Sequence, residues 1–289
     1  MAMAALKNNL GKYPFYRDRM RADRKPEPWT ISELESFALS HPGDPYAGRT
    51  DPAVAAAVSL QIEATGEPPV WIALSSPELG QWAGALARMW ARWGTARGET
   101  IAFFEYGSSP LVLLASSGYV AYLRRGAAER AGLTAICNDG VATMAARMVS
   151  IVEAVRPSML ILRRELVTPF AAALESSATG LADRVRWIAL GEVEGAPSRD
   201  EADRASATFG VPVHRILRCD AAFLLAGDCP GCGAFHLDRL YRAETLASHE
   251  VAVTARFARL CPAVRYNIGP AELLKSGCAL EPRAQRIRC

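Results

Sequence analysis

No apolar stretch of this 289-residue chain reaches the roughly 18 residues that a membrane-spanning helix needs. The opening segment, Met1 to Lys7, has no apolar core of the kind a secretory signal carries. An excess of one charge sign is missing too. The 33 Lys and Arg residues against 30 Asp and Glu leave a net charge of +3, which offers no handle for nucleic acid or an anionic membrane surface. The seven cysteines are an odd number, which argues against a secreted disulfide framework. There is no internal repeat, no low-complexity tract, and no glutamate at all between Glu201 and Glu244. What remains, 50% hydrophobic and 22% charged residues, suits a globular chain that buries a large core, and the expected setting is the cytoplasm.

Residues 1–50 are polar and basic, with Tyr13-Pro14-Phe15-Tyr16 as an aromatic anchor. Ser32-Glu33-Leu34-Glu35 reads as the N-cap and first turn of a short helix. Residues 58–62 and 70–74 read as two short strands in a hairpin-like arrangement around Thr65-Gly66-Glu67-Pro68. That turn has the small-residue make-up of a loop that offers backbone N–H groups to an anion. Yet Gln61, Ile62 and Glu63 fill the run where small residues belong, and Glu67 stands where a lysine would help. A surface turn between two strands is the other reading of the same residues.

Ser76-Pro77-Glu78 starts a helix with Pro at its first position, and Trp82, Leu86, Met89, Trp90 and Trp93 follow at helical spacing as a core stripe. Strands at 99–104, 133–137, 159–162, 187–190 and 211–217 then alternate with helices at 111–130, 142–155, 167–176 and 198–209. Such alternation predicts a mostly parallel sheet covered on both faces, an α/β protein. Past Leu224 come short strands and turns rich in Cys, Gly and Pro. The expected division is an N-terminal helical arm (1–50), an α/β core (51–224) and a small β-rich part (225–289).

Cys229-x-x-Cys232-x-x-x-His236 places three soft or borderline ligands within eight residues, with Cys278 downstream. Tetrahedral Zn²⁺ accepts such a mixture, and four protein ligands would make the site closed and structural. Pro230, Gly231 and Gly233 suit the tight backbone of a metal knuckle. Cys261 is a substitute for Cys278, Cys289 the weakest candidate, and a redox-inert turn the competing reading. His214, in an apolar strand, reads as a satisfied core histidine. Glu192 follows a buried strand, and open α/β sheets place their sites at strand C-termini. Arg163 and Arg164 read either as a bidentate receptor for carboxylate or phosphate or as a solvated charge run.

Several islands, in order along the whole chain, carry a resemblance. Tyr13-Pro14-Phe15-Tyr16-Arg17 is similar to a "PFYR" opening, and Ala64-Thr65-Gly66-Glu67-Pro68 falls where a phosphate loop ends in Gly-Lys-Pro. Gly126-Ala127-Ala128-Glu129-Arg130-Ala131-Gly132 is similar to "GAERLG", and Asp228-Cys229 with Ala234-Phe235-His236-Leu237 to "EC…GLH". Residues 262–269 are similar to "PLIRYRTGD" and residues 278–283 to "CGRTxPR". The chain thus resembles the large N-terminal domain of the phenylacetate–coenzyme A ligase branch of the adenylate-forming enzymes. The resemblance implies mostly parallel sheets with a small β-rich end, and a structural zinc on the matching Cys and His positions. It also implies an acyl or aryl pocket near Tyr106, Gly107, Ser108, Arg163 and Glu192, and a nucleotide-side role for Arg265.

The departures from the family pattern fall on its nucleotide half. Thr65, Gly66 and Glu67 form a degenerate phosphate loop whose lysine is replaced by Glu67. A carboxylate facing a phosphate at 4–6 Å costs a few kcal/mol at an effective dielectric near 20. The magnesium-binding Glu is absent, Gly269 is followed by Pro270 in place of the ribose-binding Asp, and the sequence stops near where the family's mobile C-terminal domain begins. The expectation is therefore a reassigned protein that binds an aryl or acyl carboxylate or a thioester in a biosynthetic pathway, with ATP-dependent adenylation lost. ATP and magnesium are not expected, and the sequence leaves CoA open. Two alternatives stand beside it: a carboxylate–CoA ligase completed by a separate C-terminal domain, and a non-catalytic partner of an active ligase. The expected partners are a small acyl or aryl ligand together with a second copy or a partner ligase, with no nucleic acid and no membrane.

Overall fold

The computed structural model describes residues 10–20, 25–51, 54–120, 122–177, 180–274 and 277–289. Its contacts divide into two compact units that interleave along the chain. One comprises residues 82–218 and 225–236, the other residues 1–81, 219–224 and 237–289.

The first unit is built on β1 (Thr100–Phe104), β2 (Thr134–Asn138), β3 (Met159–Arg163), β4 (Trp187–Gly191), β5 (Glu194–Gly195), β6 (Val213–Cys219), β7 (Leu224–Asp228) and β8 (Phe235–His236). The strand order is β8-β7-β6-β4-β3-β1-β2, with β5 paired to β6. Pairs β1–β2, β1–β3, β3–β4 and β4–β6 are parallel, and β7–β8 is antiparallel. The parallel strands are near-continuous apolar runs because both of their faces are covered. Alternate residues serve opposite faces. Ala102, Phe104, Leu160, Leu162, Ile188 and Leu190 join one core cluster. Phe103 points the other way and meets Trp90 of α1 (Ser76–Arg92), ring centroids 5.7 Å apart. The stripe of Trp82, Leu86, Met89, Trp90 and Trp93 is buried, as its spacing predicts.

The helix expected over 111–130 is two helices, α2 (Pro110–Ala115) and α3 (Ala127–Ala131). Ser116, Ser117 and Gly118 interrupt it. The hydroxyls of both serines and the Ser117 amide donate to the Glu129 carboxylate at 2.7–2.9 Å, a local alternative to helical bonding. A Cβ on Gly126 would lie 2.5 Å from the Ser116 Cα, so only glycine allows this turn to close. Helices α4 (Ala145–Val155) and α5 (Val167–Leu174) fall close to their expected places.

Helix α6 (Arg199–Phe209) begins at Ser198, where a full capping box forms with Glu201. The hydrogen bonds that Ser198 donates to its carboxylate hold Glu201 below the usual glutamate range. A depressed carboxylate stabilises the fold above the unfolded-state pKa, and that contribution is lost as pH falls through the folded one. Ser198→Ala should therefore cost about 1 kcal/mol at neutral pH. The difference should shrink as pH falls below the ordinary carboxylate range and Glu201 protonates. Paired thermal melts at pH 7 and pH 3 check this, and an equal cost at both would contradict it.

The second unit is antiparallel and aromatic. Strands Val58–Gln61 and Trp71–Leu74 form the expected hairpin, with Val58 opposite Leu74 and Gln61 opposite Trp71. Tyr241–Thr245, Glu250–Ala255 and Tyr266–Pro270 make a three-stranded sheet, and Glu272–Leu274 pairs with Arg286–Arg288. The N-terminal anchor packs against residues distant in sequence: Tyr16 Oη donates to the Pro262 carbonyl, Trp29 Nε1 to that of Val264, and the Trp29 ring meets Tyr266 edge-on. The helix expected at Ser32 is capped by Thr30 instead, whose capping box with Glu33 takes the chain into Ile31–Ser40.

Candidate functional site

Parallel register brings the C-terminal ends of β1, β3, β4 and β6 to one edge of the sheet, and charged side chains collect there. Glu105 follows β1 directly and is buried. Arg218 Nη1 of β6 lies 3.3 Å from Glu105 Oε2, and Arg163 Nε at the end of β3 lies 3.7 Å from Oε1. The amide of Tyr106 donates to the same carboxylate at 3.3 Å. Arg163 also pairs with Glu165, and its guanidinium stacks 3.6 Å from the Tyr106 ring centroid. Arg164 bridges Glu192 at 3.1 Å and Glu201 at 3.3 Å.

Tyr106, Arg163 and Glu192 thus all stand at this edge, with Gly107 and Ser108 in the loop that follows Tyr106. Arg163 spends its charge on Glu105 and Glu165. Tyr106, 38% exposed, keeps part of its ring open to solvent. The loop is held by a close backbone crossing: the Gly140 amide donates to the Glu105 carbonyl, and a Cβ on Gly140 would lie 2.4 Å from the Phe104 oxygen. Nearby on β2, burial pushes the Cys137 thiol up to about 11, so it stays protonated at neutral pH and is no nucleophile. The sequence reading missed Glu105 and Arg218. Their signal was charge inside apolar strands or directly after one, which spacing alone does not pair.

The loop at Thr65 has its polar groups turned on itself. Thr65 Oγ1 donates to the Ile62 carbonyl and accepts from the Val70 amide, while the Gly66 amide donates to the Glu35 carboxylate at 3.0 Å. Glu67 is exposed. Arg265, at φ 58°, donates from Nε to Glu244 and from Nη1 to the Pro26 carbonyl, both at 2.8 Å. It borders a small cavity of about 80 Å³ together with Lys25, Arg242 and Thr254.

The Cys229 turn is a tight knuckle between β7 and β8. The Gly233 amide donates to the Cys229 carbonyl at 2.7 Å and the Cys229 amide to that of Ala234 at 2.9 Å, with Gly233 at φ 67°. Cys232 Sγ stands 3.2 Å from His236 Nε2. The candidate ligand atoms of Cys229, Cys232 and His236 lie within 4.8 Å of one another, a group that could hold a metal ion, and Cys278, the fourth expected ligand, is buried. Cys261 is fully buried, and desolvation raises its pKa. His214 stacks on Trp93 at 4.8 Å, with Nδ1 3.3 Å from Asp228 Oδ1.

No helix among the described residues is long and apolar enough to cross a membrane. No family model matches the chain, and no curated protein matches it. Among solved structures, 2-hydroxyisobutyryl-CoA ligase in an open conformation, in complex with 2-HIB-AMP and CoA, superposes with a TM-score of 0.75 at 14% identity, over 99% of this chain and 71% of that one. The same ligase in its postadenylation state, in complex with 2-HIB-AMP, gives a TM-score of 0.76 at 14% identity, over 99% and 65%. The chain spans about two thirds of the ligase it matches. It shares the fold of that ligase.

Proposed function

We propose that this chain is a divergent relative of the phenylacetate–CoA ligase branch that binds an aryl or acyl carboxylate, or its thioester, at the strand ends of the parallel sheet. In this reading it serves a biosynthetic pathway and has lost ATP-dependent adenylation. One observation carries it. The Gly66 amide, which a phosphate loop would aim at its ligand, is held by the Glu35 carboxylate, with Glu67 beside it in place of a lysine. A phosphate approaching that amide would have to displace one carboxylate and approach another. No adenylation step is assigned to these residues.

At the strand ends Tyr106 offers the exposed part of a ring already stacked by Arg163, a rigid wall for a planar acyl group. Glu192 and Arg164 hold each other at the same edge, and Gly107 and Ser108 shape the loop beside it. In the same reading Cys229, Cys232 and His236 of the knuckle take zinc, with Cys278 as the fourth ligand that the sequence offers. The donor set suits it: three thiols and an imidazole give a closed tetrahedral site, which is structural.

Calorimetric titration of Mg-ATP into the folded protein tests the central claim, because it needs no guess about the acid. The expected result is no measurable heat at millimolar nucleotide. Micromolar binding would overturn the reading. It would favour a carboxylate–CoA ligase completed by a second polypeptide, an alternative supported by the likeness to a ligase carrying 2-HIB-AMP and CoA. After a null result, a thermal-shift screen of acids and thioesters without ATP identifies the ligand class.

A further inference from the structure

Three thiolates and a neutral imidazole around one Zn²⁺ carry a net charge of −1, and a buried net charge is costly unless an opposite one stands close. The knuckle is ringed by arginines of its own unit. Arg215, a buried residue of β6, donates from Nη2 to the Gly233 carbonyl at 3.0 Å and lies 4.8 Å from the Phe235 ring centroid. Its Nε stands 3.2 Å from Asp228 Oδ2, next in sequence to Cys229. Arg92 Nη2 donates to the His236 carbonyl at 3.4 Å. A Cβ on Gly233 would lie 2.3 Å from Arg199 Nη1, so a third guanidinium packs against the turn. Asp228 pairs with Arg215, and the other two guanidiniums lie against the turn itself.

We infer that Arg215 is the positioning residue of this metal knuckle. It pins the Gly233 carbonyl between the Cys232 and His236 ligands, and it sets its charge against the anionic cluster. Metal affinity is thereby tied to a residue of the sheet outside the knuckle that carries the ligands. Asp228 orients the guanidinium, with His214 on its other oxygen. Groups outside the first coordination layer commonly govern metal affinity in this way. The inference rests on the zinc reading given above.

The test is competition for Zn²⁺ between the full chain and a chromophoric chelator, run on wild type, Arg215→Met and Arg215→Lys. Arg215→Met should weaken zinc binding roughly 10–100-fold, and Arg215→Lys, which keeps the charge, by less than about tenfold. With Co²⁺ in place of zinc, the visible bands of both variants should shift as the Gly233 carbonyl is released, a signature that a general loss of stability does not produce. Affinity within about threefold of wild type for Arg215→Met, or equal losses for Met and Lys, overturns the inference. If Arg215→Met fails to fold, Arg215→Lys alone carries the test: its Co²⁺ bands should shift while its affinity stays within about tenfold of wild type, and bands identical to wild type overturn the inference. Wild type that holds no zinc would overturn the zinc reading itself, an outcome distinct from a zinc-loaded protein indifferent to Arg215.

Discussion

Cys232→Ser should lower the melting temperature by roughly 10 °C and abolish metal retention. Wild type purified without chelator should carry about one zinc per chain. The size follows from where the ligands sit. Cys229 and His236 are buried, and a bound metal would let thiolates and an imidazole share an interior position. Loss of a structural metal belongs to the few single changes that cost about 4 kcal/mol or more, and each kcal/mol moves the midpoint by roughly 2–4 °C in a chain somewhat smaller than this one. Chelation of wild type should reproduce the mutant melt, and readdition of zinc should restore wild type but not Cys232→Ser. Metal analysis beside calorimetry decides it. A metal-free protein with an unchanged melt would leave the cluster as a packed group of thiols.

Arg218→Met should destabilise the protein by about 3–5 kcal/mol, because it strands the buried Glu105 carboxylate without its nearest cation. Both side chains of this pair are only 2% exposed, so water cannot take over the lost partner. Glu105→Gln should also destabilise, by removing the carboxylate that Arg218 faces at 3.3 Å. The double variant should lose clearly less than the sum of the two, since removing both charges removes the desolvation penalty with the attraction. Urea unfolding of the four proteins closes the cycle. Additive losses, or a single-variant cost under about 1 kcal/mol, would mean the pair behaves like an exposed one. The pair matters for the proposed binding edge as well. Glu105 holds Arg163 and receives the Tyr106 amide, so its loss should also weaken whatever the thermal-shift screen identifies.

Much of the architecture was legible before any coordinates. Apolar runs such as Ile101–Phe104 and Met159–Leu162 alternate with helices, and alternation of that kind has few solutions other than a parallel sheet with both faces covered. The helix expected over 198–209 starts where the pattern put it, and there Ser198 and Glu201 form a capping box, a local hydrogen-bond exchange. The same logic misplaced the earlier cap, where Thr30 and Glu33 form the box two residues before Ser32. The continuous helix across 111–130 failed because Glu129 reaches back to Ser116 and Ser117, a choice that helix propensity does not register. The knuckle ligands were visible for a local reason too: three of them lie within eight residues.

Sequence by itself determined the strand and helix alternation, the buried tryptophan stripe and the residues able to hold a metal. These follow from periodicity and from ligand chemistry within a few residues. Only the tertiary structure decided what each charge does. It placed Arg218 against Glu105, 113 residues away, Glu35 on the Gly66 amide, 31 residues away, and Arg215 on the Gly233 carbonyl. It also set Tyr16 and Trp29 against residues 262–266, joining the start of the chain to its last strands. The physical reason is that a guanidinium or a carboxylate is satisfied by whichever partner the fold carries to it, and strand order, not sequence distance, sets that partner.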